Sequence, residues 1–488
     1  MTETLADLIA CEDVLMFVNA AITSTGQREF RHHEGEQRLS LGFLHAYMLH
    51  NYRDLYAASL ALDINDHNAA LIVRNLLEHA AEADAGRRRA EGRIIARRLE
   101  SLPPQRVYRL FGALRRARVN NRRTRAIMRD WLAARPDPAF DAVKYRGAVK
   151  AVARHAHLDL DGETGAFLFK PHTVRAFQKP IFESWRRAHY EHGALYGLPY
   201  TVAEGFAVKH GIPRAVFLER IEPRLTRRER LGLQENARRR KVEAVAADLT
   251  AMPLTRLATY VLALPLDERA ARRAELTTAL RASARRAAGG RAGTWGKVAA
   301  VLDDSFSTTG SAQKKRRPLA VALAGHFLLE ALAGAGEYVP LWTSGRSDAL
   351  LLYPYGPTPL GERIVDGLDT APDRLVIVSD GWDNAPPGLA AEVLRVWRTR
   401  LDPGRRVAVT HLNPVYDADD FDVRRLAPTV PTAGIRDAED LPALVELARF
   451  AEGRVGLAEL RAHLDEQVAR FLGTPHDLDT PHDLGRTP

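Results

Sequence analysis

Three separated segments carry oxygen ligands of the kind a hard divalent cation needs. Lys297 to Ser311 reads KVAAVLDDSFSTTGS, Tyr355 to Gly361 reads YGPTPLG, and Arg374 to Asn384 reads RLVIVSDGWDN. Together they offer Asp303, Ser305, Ser307, Thr358 and Asp380. Carboxylates and hydroxyls suit Mg²⁺, Mn²⁺ or Ca²⁺, and the absence of Cys and His from the set argues against Zn²⁺. Three of the five donors are neutral. An open coordination position would therefore remain for an acidic ligand from outside.

The spacing also says what must position these groups. Val298 to Leu302 and Leu375 to Val378 are short apolar runs of the kind buried in parallel sheets. Each ends where the candidate ligands begin, while Thr358 sits on a Gly/Pro-punctuated loop. The ligands would then converge at the carboxyl edge of a parallel sheet, where open α/β folds bind things. Phe306 sets the register, since starting from Asp304 would put Phe where a Ser is needed.

In these residues the chain resembles the von Willebrand factor A domain, a doubly wound α/β fold with a metal site at its top. The family pattern Asp-x-Ser-x-Ser is met by Asp303, Ser305 and Ser307. Thr358 matches its Thr-Pro loop and Asp380 its Asp-Gly turn, with Ser379 where Thr is common. The likeness covers about residues 295 to 470 and implies a site that binds rather than catalyses.

Charge is distributed unevenly. The 488 residues carry a net charge of +9. Through Trp295 there are 49 Lys/Arg against 33 Asp/Glu, whereas the remainder has 21 against 28. The first part is thus suited to a polyanion and the second is not. A single cysteine, Cys11, leaves no internal disulfide and fits a reducing cytoplasm. The start MTETLADLIA carries acids where a signal peptide would carry Lys/Arg, and no apolar run reaches spanning length, so a soluble cytoplasmic protein of a high-GC bacterium is expected.

Apolar residues recur at helical spacing through Leu41 to Leu62 and Asn68 to Ala83. Prolines at 103–104, 138, 180, 199, 253 and 265 mark the joints between successive helices. Such helices cannot each bury a face alone, which predicts a HEAT-like solenoid or ring over residues 1–290. A Gly-rich hinge at 289–293 would precede the α/β domain at 295–472. A disordered tail over 473–488 would follow, repeating Thr-Pro-His-Asp-Leu at Thr474 and Thr480.

Basic residues concentrate in the helical part. Arg87 to Arg125 holds fourteen arginines against Glu91 and Glu100. Arg115, Arg118, Arg122 and Arg125 would line one face if a single helix ran through them. Arg116 and Arg123 belong to the same cluster, Lys144 and Arg146 flank Tyr145 further on, and Arg238, Arg239 and Arg240 form another run. Stretches so poor in acids point to phosphate binding. Asp417, Asp419, Asp420 and Asp422 read instead as a solvated acidic turn, with no calcium-loop Glu or Gly to complete them. His155 and His157 would face apart on a helix and so could not share a metal.

A basic helical part joined to an A domain resembles the TROVE architecture of the Ro ribonucleoprotein family. Arg125 to Leu158, with Trp131 and Lys144-Tyr145-Arg146, and Asp248 to Leu264 carry that likeness, although Ala258-Thr259-Tyr260 stands where Ro proteins tend to read Arg-Asn-Leu. The resemblance implies a ring that binds structured small noncoding RNAs on its basic surface and single-stranded RNA ends in its hole. A nuclease or RNA ligase partner would then do any chemistry. The alternative is a protein-interaction adaptor whose metal grips a partner such as an AAA+ ATPase. Neither a Gly-Lys-Ser/Thr phosphate loop nor a nucleophile elbow is present, so no enzyme activity is expected.

Overall fold

The computed structural model describes residues 4–226, 229–230, 233, 249–448 and 456–473. Arg238, Arg239 and Arg240 lie outside the described residues, as does the tail beyond Gly473. By compactness the chain divides into two units. One comprises Met1–Ile72 with Asp248–Ala469, the other Val73–Ala247 with Arg470–Pro488.

The first unit is built on a parallel sheet. Its strands are β1 (Val298–Leu302), β2 (Tyr338–Trp342), β3 (Arg374–Val378), β4 (Ala408–Asn413) and β7 (Thr432–Gly434), in the order β2-β1-β3-β4-β7. β1 is buried along its whole length, as its unbroken apolar run requires of a central parallel strand. Ala299, Val301, Leu375 and Ile377 face the helices Leu360–Asp369 and Leu389–Val396. The alternate residues face the helix Arg317–Leu332, whose Gly325 lies against Val378. Apolar residues cover most of that helix, which packs on Leu254–Ala263 and Arg273–Ala288. The chain leaves β1 toward β2 on one side and later runs β3, β4, β7 on the other. The switch point therefore lies between the carboxyl ends of β1 and β3.

Helix α1 (Leu5–Thr23) closes the β7 edge of the sheet. Asn19 accepts from the Gly434 amide at 2.9 Å and donates to Asp422 at 2.9 Å. A Cβ on Gly434 would stand 2.8 Å from Thr23, so only glycine lets the helix lie this close. An edge that would otherwise offer unpaired amides is thus covered.

The sequence boundary near 290 falls inside this unit. Gly289 and Gly293 have positive φ, but the Gly293 and Trp295 amides donate to the Ala331 and Leu332 carbonyls, each at 3.0 Å. Arg281 pairs with Glu330 at 2.8 Å across the same helices. The Gly-rich stretch is a fixed turn between packed elements.

The described part of the second unit is helical. Prolines open its helices as their fixed φ allows, with Pro104, Pro138 and Pro180 in the first turn. Trp131 donates to the Leu99 carbonyl at 3.0 Å and meets Tyr108 and Phe111 edge to face. Phe167 and Phe182 stack at 4.2 Å in a second aromatic cluster. The single helix through Arg115 to Arg125 does not form. The helix Pro104–Arg116 stops, Arg118 turns left-handed, and Asn121 caps the helix Arg122–Ala133 by accepting from Thr124. The Asn120-Asn121 pair supplies a cap that outcompetes continuation. The arginines cluster about a turn instead of lining one face. Among the described residues, no helix is long and apolar enough to cross a membrane.

Candidate metal centre and basic cleft

The five candidate oxygen ligands lie on the loops at the switch point, and all five residues are buried. β1 delivers Asp303, whose Oδ1 accepts from the Ser305 amide at 2.9 Å and whose Oδ2 accepts from Ser379 at 3.1 Å. Ser305 and Ser307 meet hydroxyl to hydroxyl at 3.2 Å, and the Ser307 hydroxyl bonds the Asp380 carboxylate. Thr358 is brought alongside by backbone bonds between loops. Tyr355 donates to the Asp304 carbonyl at 2.9 Å and Phe306 to Gly356 at 3.0 Å, while the Thr358 amide is held by Asn384 at 2.8 Å.

Asp304, next to Asp303, is turned away. Its carboxylate accepts from Thr343 Oγ1 at 2.9 Å and from the Ser344 amide at 2.8 Å. Its lone pairs are spent on the loop after β2, whereas Asp303 faces the Ser305 and Ser379 donors.

Burial pushes the Asp303 carboxyl up to about 7, the nearby Asp380 carboxylate adding to the rise. Asp380 is likewise raised, chiefly by burial, against hydrogen bonds from Ser307 and the Trp382 amide. Neither carboxylate has an ion-pair partner among the described residues. Two buried acids facing hydroxyls and amides, without an ion-pair partner among the described residues, form a donor set that fits a hard divalent ion.

Sequence reasoning missed the support beneath this set. His411, fully buried on β4, sits 3.1 Å from the Ser379 carbonyl and is held neutral by burial, its pKa lowered to about 4. Asn413 donates to the Asp380 carbonyl at 3.0 Å. Neither has a spacing signal relative to the ligands, because both arrive from β4, one crossover after the strand that carries Ser379 and Asp380.

The acidic turn also differs from expectation. Asp417 and Asp422 are buried on a two-stranded ribbon, β5 (Tyr416–Asp417) and β6 (Asp422–Val423), and only Asp419 and Asp420 are exposed. Asp417 lies 3.1 Å from His32, and Asp422 pairs with Arg425 at 3.3 Å as well as with Asn19. Partners from α1 and the loop after it, some 390 residues away in sequence, let these acids be buried. His155 contacts the Val119 carbonyl at 3.0 Å and His157 ends its helix left-handed, so they share no ligand.

In the helical unit a cleft of about 600 Å³ is lined by Arg109, Arg116, Lys144, Tyr145 and Arg146. Arg115, Arg116, Arg118 and Arg122 are exposed, and Arg125 is half-buried. Two arginines of the expected set are engaged internally. Arg123 pairs with buried Glu91 at 3.2 Å. Arg146 donates to the Phe167 and Leu168 carbonyls at 3.1 and 3.0 Å, its guanidinium against Phe167 and Trp185. Lys144 is half-buried, with its ammonium 4.0 Å from Glu229.

No protein-family model matches this chain, and no curated protein matches it.

Proposed function

We propose that this is a non-catalytic RNA-binding protein of Ro type, pairing a basic helical surface with a divalent-metal adhesion site on a von Willebrand factor A-like layer. The observation that carries the RNA reading is the group of exposed arginines at 115, 116, 118 and 122 beside a cleft that also presents Arg109 and Lys144. Guanidinium groups in an acid-poor surface suit a phosphate backbone, each contact releasing counterions. Changing Arg115, Arg116, Arg118 and Arg122 together to Gln is expected to weaken RNA binding across sequences. The slope of log affinity against log salt should flatten by roughly 0.7 to 0.9 per lost contact. A folded variant with unchanged slope would refute the reading.

The metal reading rests on the buried set around Asp303 and Asp380, with Mg²⁺, Mn²⁺ or Ca²⁺ as the ion. Asp303→Ala and Asp380→Ala should each abolish Mg²⁺ uptake in calorimetry, because one carboxylate with neutral hydroxyls does not hold Mg²⁺ against water. Both variants should keep most of the affinity for RNA that ends in a hydroxyl. Full Mg²⁺ affinity in either would mean that these residues do not form the site.

A further inference from the structure

Trp382, two residues after Asp380, gathers two positive charges at the mouth of the metal site. The guanidinium carbons of Arg31 and Arg424 each lie 3.8 Å from its ring. Both act electrostatically on Asp380, yet neither pairs with it directly. Among the described residues Arg31 makes no hydrogen bond or ion pair, and the carboxylate nearest Arg424 is Asp417, at 4.0 Å. Their donors are therefore available. A divalent ion would cancel the charge of Asp303 and Asp380, and Asp417 offsets part of the Arg424 charge, so the mouth stays net positive. The complementary ligand is an anion with acceptor oxygens for both guanidinium groups and for the ion.

A carboxylate or a phosphodiester offers two terminal oxygens, whereas a phosphomonoester offers three and carries more charge at neutral pH, enough to meet two guanidinium groups and the ion together. Mg²⁺ is commonly held between protein carboxylates and phosphate oxygens, and guanidinium forks match phosphate geometry. The crevice beneath is only about 10 Å³, room for a single water, so the ligand must sit on the rim. That rim is aromatic. Phe306 is 61% exposed and Tyr355 59%, and they stand on the same two loops that carry the serine and threonine ligands. The Phe30 ring meets Phe306 edge to face at 6.0 Å. Exposed rings beside a phosphate site are what an unpaired base stacks on.

We propose that the mouth of the metal site takes the terminal phosphate of a single-stranded nucleic acid. One phosphate oxygen meets the metal, the others meet Arg31 and Arg424, and the terminal base stacks on Phe306 or Tyr355. This rests on the metal reading above and adds the identity of the outside ligand.

The test compares one oligoribonucleotide carrying a 5′-phosphate, a 3′-phosphate or hydroxyl ends, by fluorescence anisotropy with the full chain in Mg²⁺. At least one phosphorylated form should bind about tenfold tighter than the hydroxyl form. That preference should vanish in EDTA and in the Arg31→Gln/Arg424→Gln double variant, which should still take up Mg²⁺ in calorimetry. Phe306→Ala should weaken the phosphorylated oligonucleotide severalfold and leave inorganic phosphate unchanged. Mg²⁺ uptake without any preference for a phosphorylated end would overturn this proposal alone, as would a preference that survives the double variant. A phosphoserine peptide binding as tightly as the oligonucleotide would overturn the nucleic-acid assignment. No Mg²⁺ uptake by the unaltered protein would overturn the metal reading and this proposal with it.

Discussion

Glu29→Gln is expected to cost about 3–5 kcal/mol of stability, because it strands a buried ammonium. Glu29 and Lys314 form an ion pair in which both side chains are almost wholly buried. Burial dominates each group, raising the Glu29 carboxyl and lowering the Lys314 ammonium, and their mutual attraction offsets part of that. Beyond Glu29, the only other hydrogen bond of the Lys314 ammonium among the described residues is a long one to the Thr23 carbonyl at 3.4 Å. A neutral Gln supplies one weak acceptor where a charge was needed. The pair also pins the loop after α1 to the segment after Ser311, where Ser311 donates to the Arg28 carbonyl and Gln313 accepts from the Arg28 amide. Urea denaturation at pH 7 measures the loss. A Glu29→Leu/Lys314→Met double variant should recover most of it, since removing both charges also removes both desolvation costs. A single variant within 1 kcal/mol of the unaltered protein, on the order of an exposed pair's worth, would show that water reaches the pair.

How far the sequence discloses this molecule depends on the range of the interaction. β1 and β3 are legible because each is a short apolar run ending in ligands, and a parallel strand buried on both faces leaves that trace. Asp303, Ser305, Ser307, Thr358 and Asp380 are legible for the same reason, since local turns display them. The helical joints follow from proline, whose fixed φ acts locally. The break at Arg118 was readable in principle from the Asn120-Asn121 cap, but arginine spacing at three and four residues masks it. What stays hidden is long-range. The loop that carries Glu29, Phe30, Arg31 and His32 reaches the mouth of a site whose residues begin some 270 positions later. A lone arginine in an Arg-rich chain carries no mark of the tryptophan it will stack on. The burial of Asp417 and Asp422 is hidden in the same way, because exposed acids and acids satisfied by Asn19 or His32 look alike in sequence.

In EDTA, stability is expected to fall by about 2–3 kcal/mol between pH 5 and pH 7.5, and Mg²⁺ should reverse the trend. The cause is the pair Asp303 and Asp380, whose carboxyls are both raised by burial, Asp303 to about 7. The folded state then binds a proton more tightly than the unfolded chain does. That contribution is complete below pH 4 and is lost as pH rises toward 7, where the native protein must hold a second buried charge beside the first. A divalent ion works in the opposite sense, because it binds the deprotonated pair and gains as pH rises. Asp303→Asn separates the two effects. Its amide cannot ionise, so the variant should lose the part of the EDTA slope that Asp303 contributes and be more stable than the unaltered protein at pH 7.5. It should also gain nothing from Mg²⁺. Thermal melts at pH 5 and 7.5, with EDTA and with Mg²⁺, give all four values. A slope undiminished in Asp303→Asn would assign the proton to another acid, for which Asp440 is the prime alternative, since burial and the neighbouring Asp63 and Asp437 push it up to about 8.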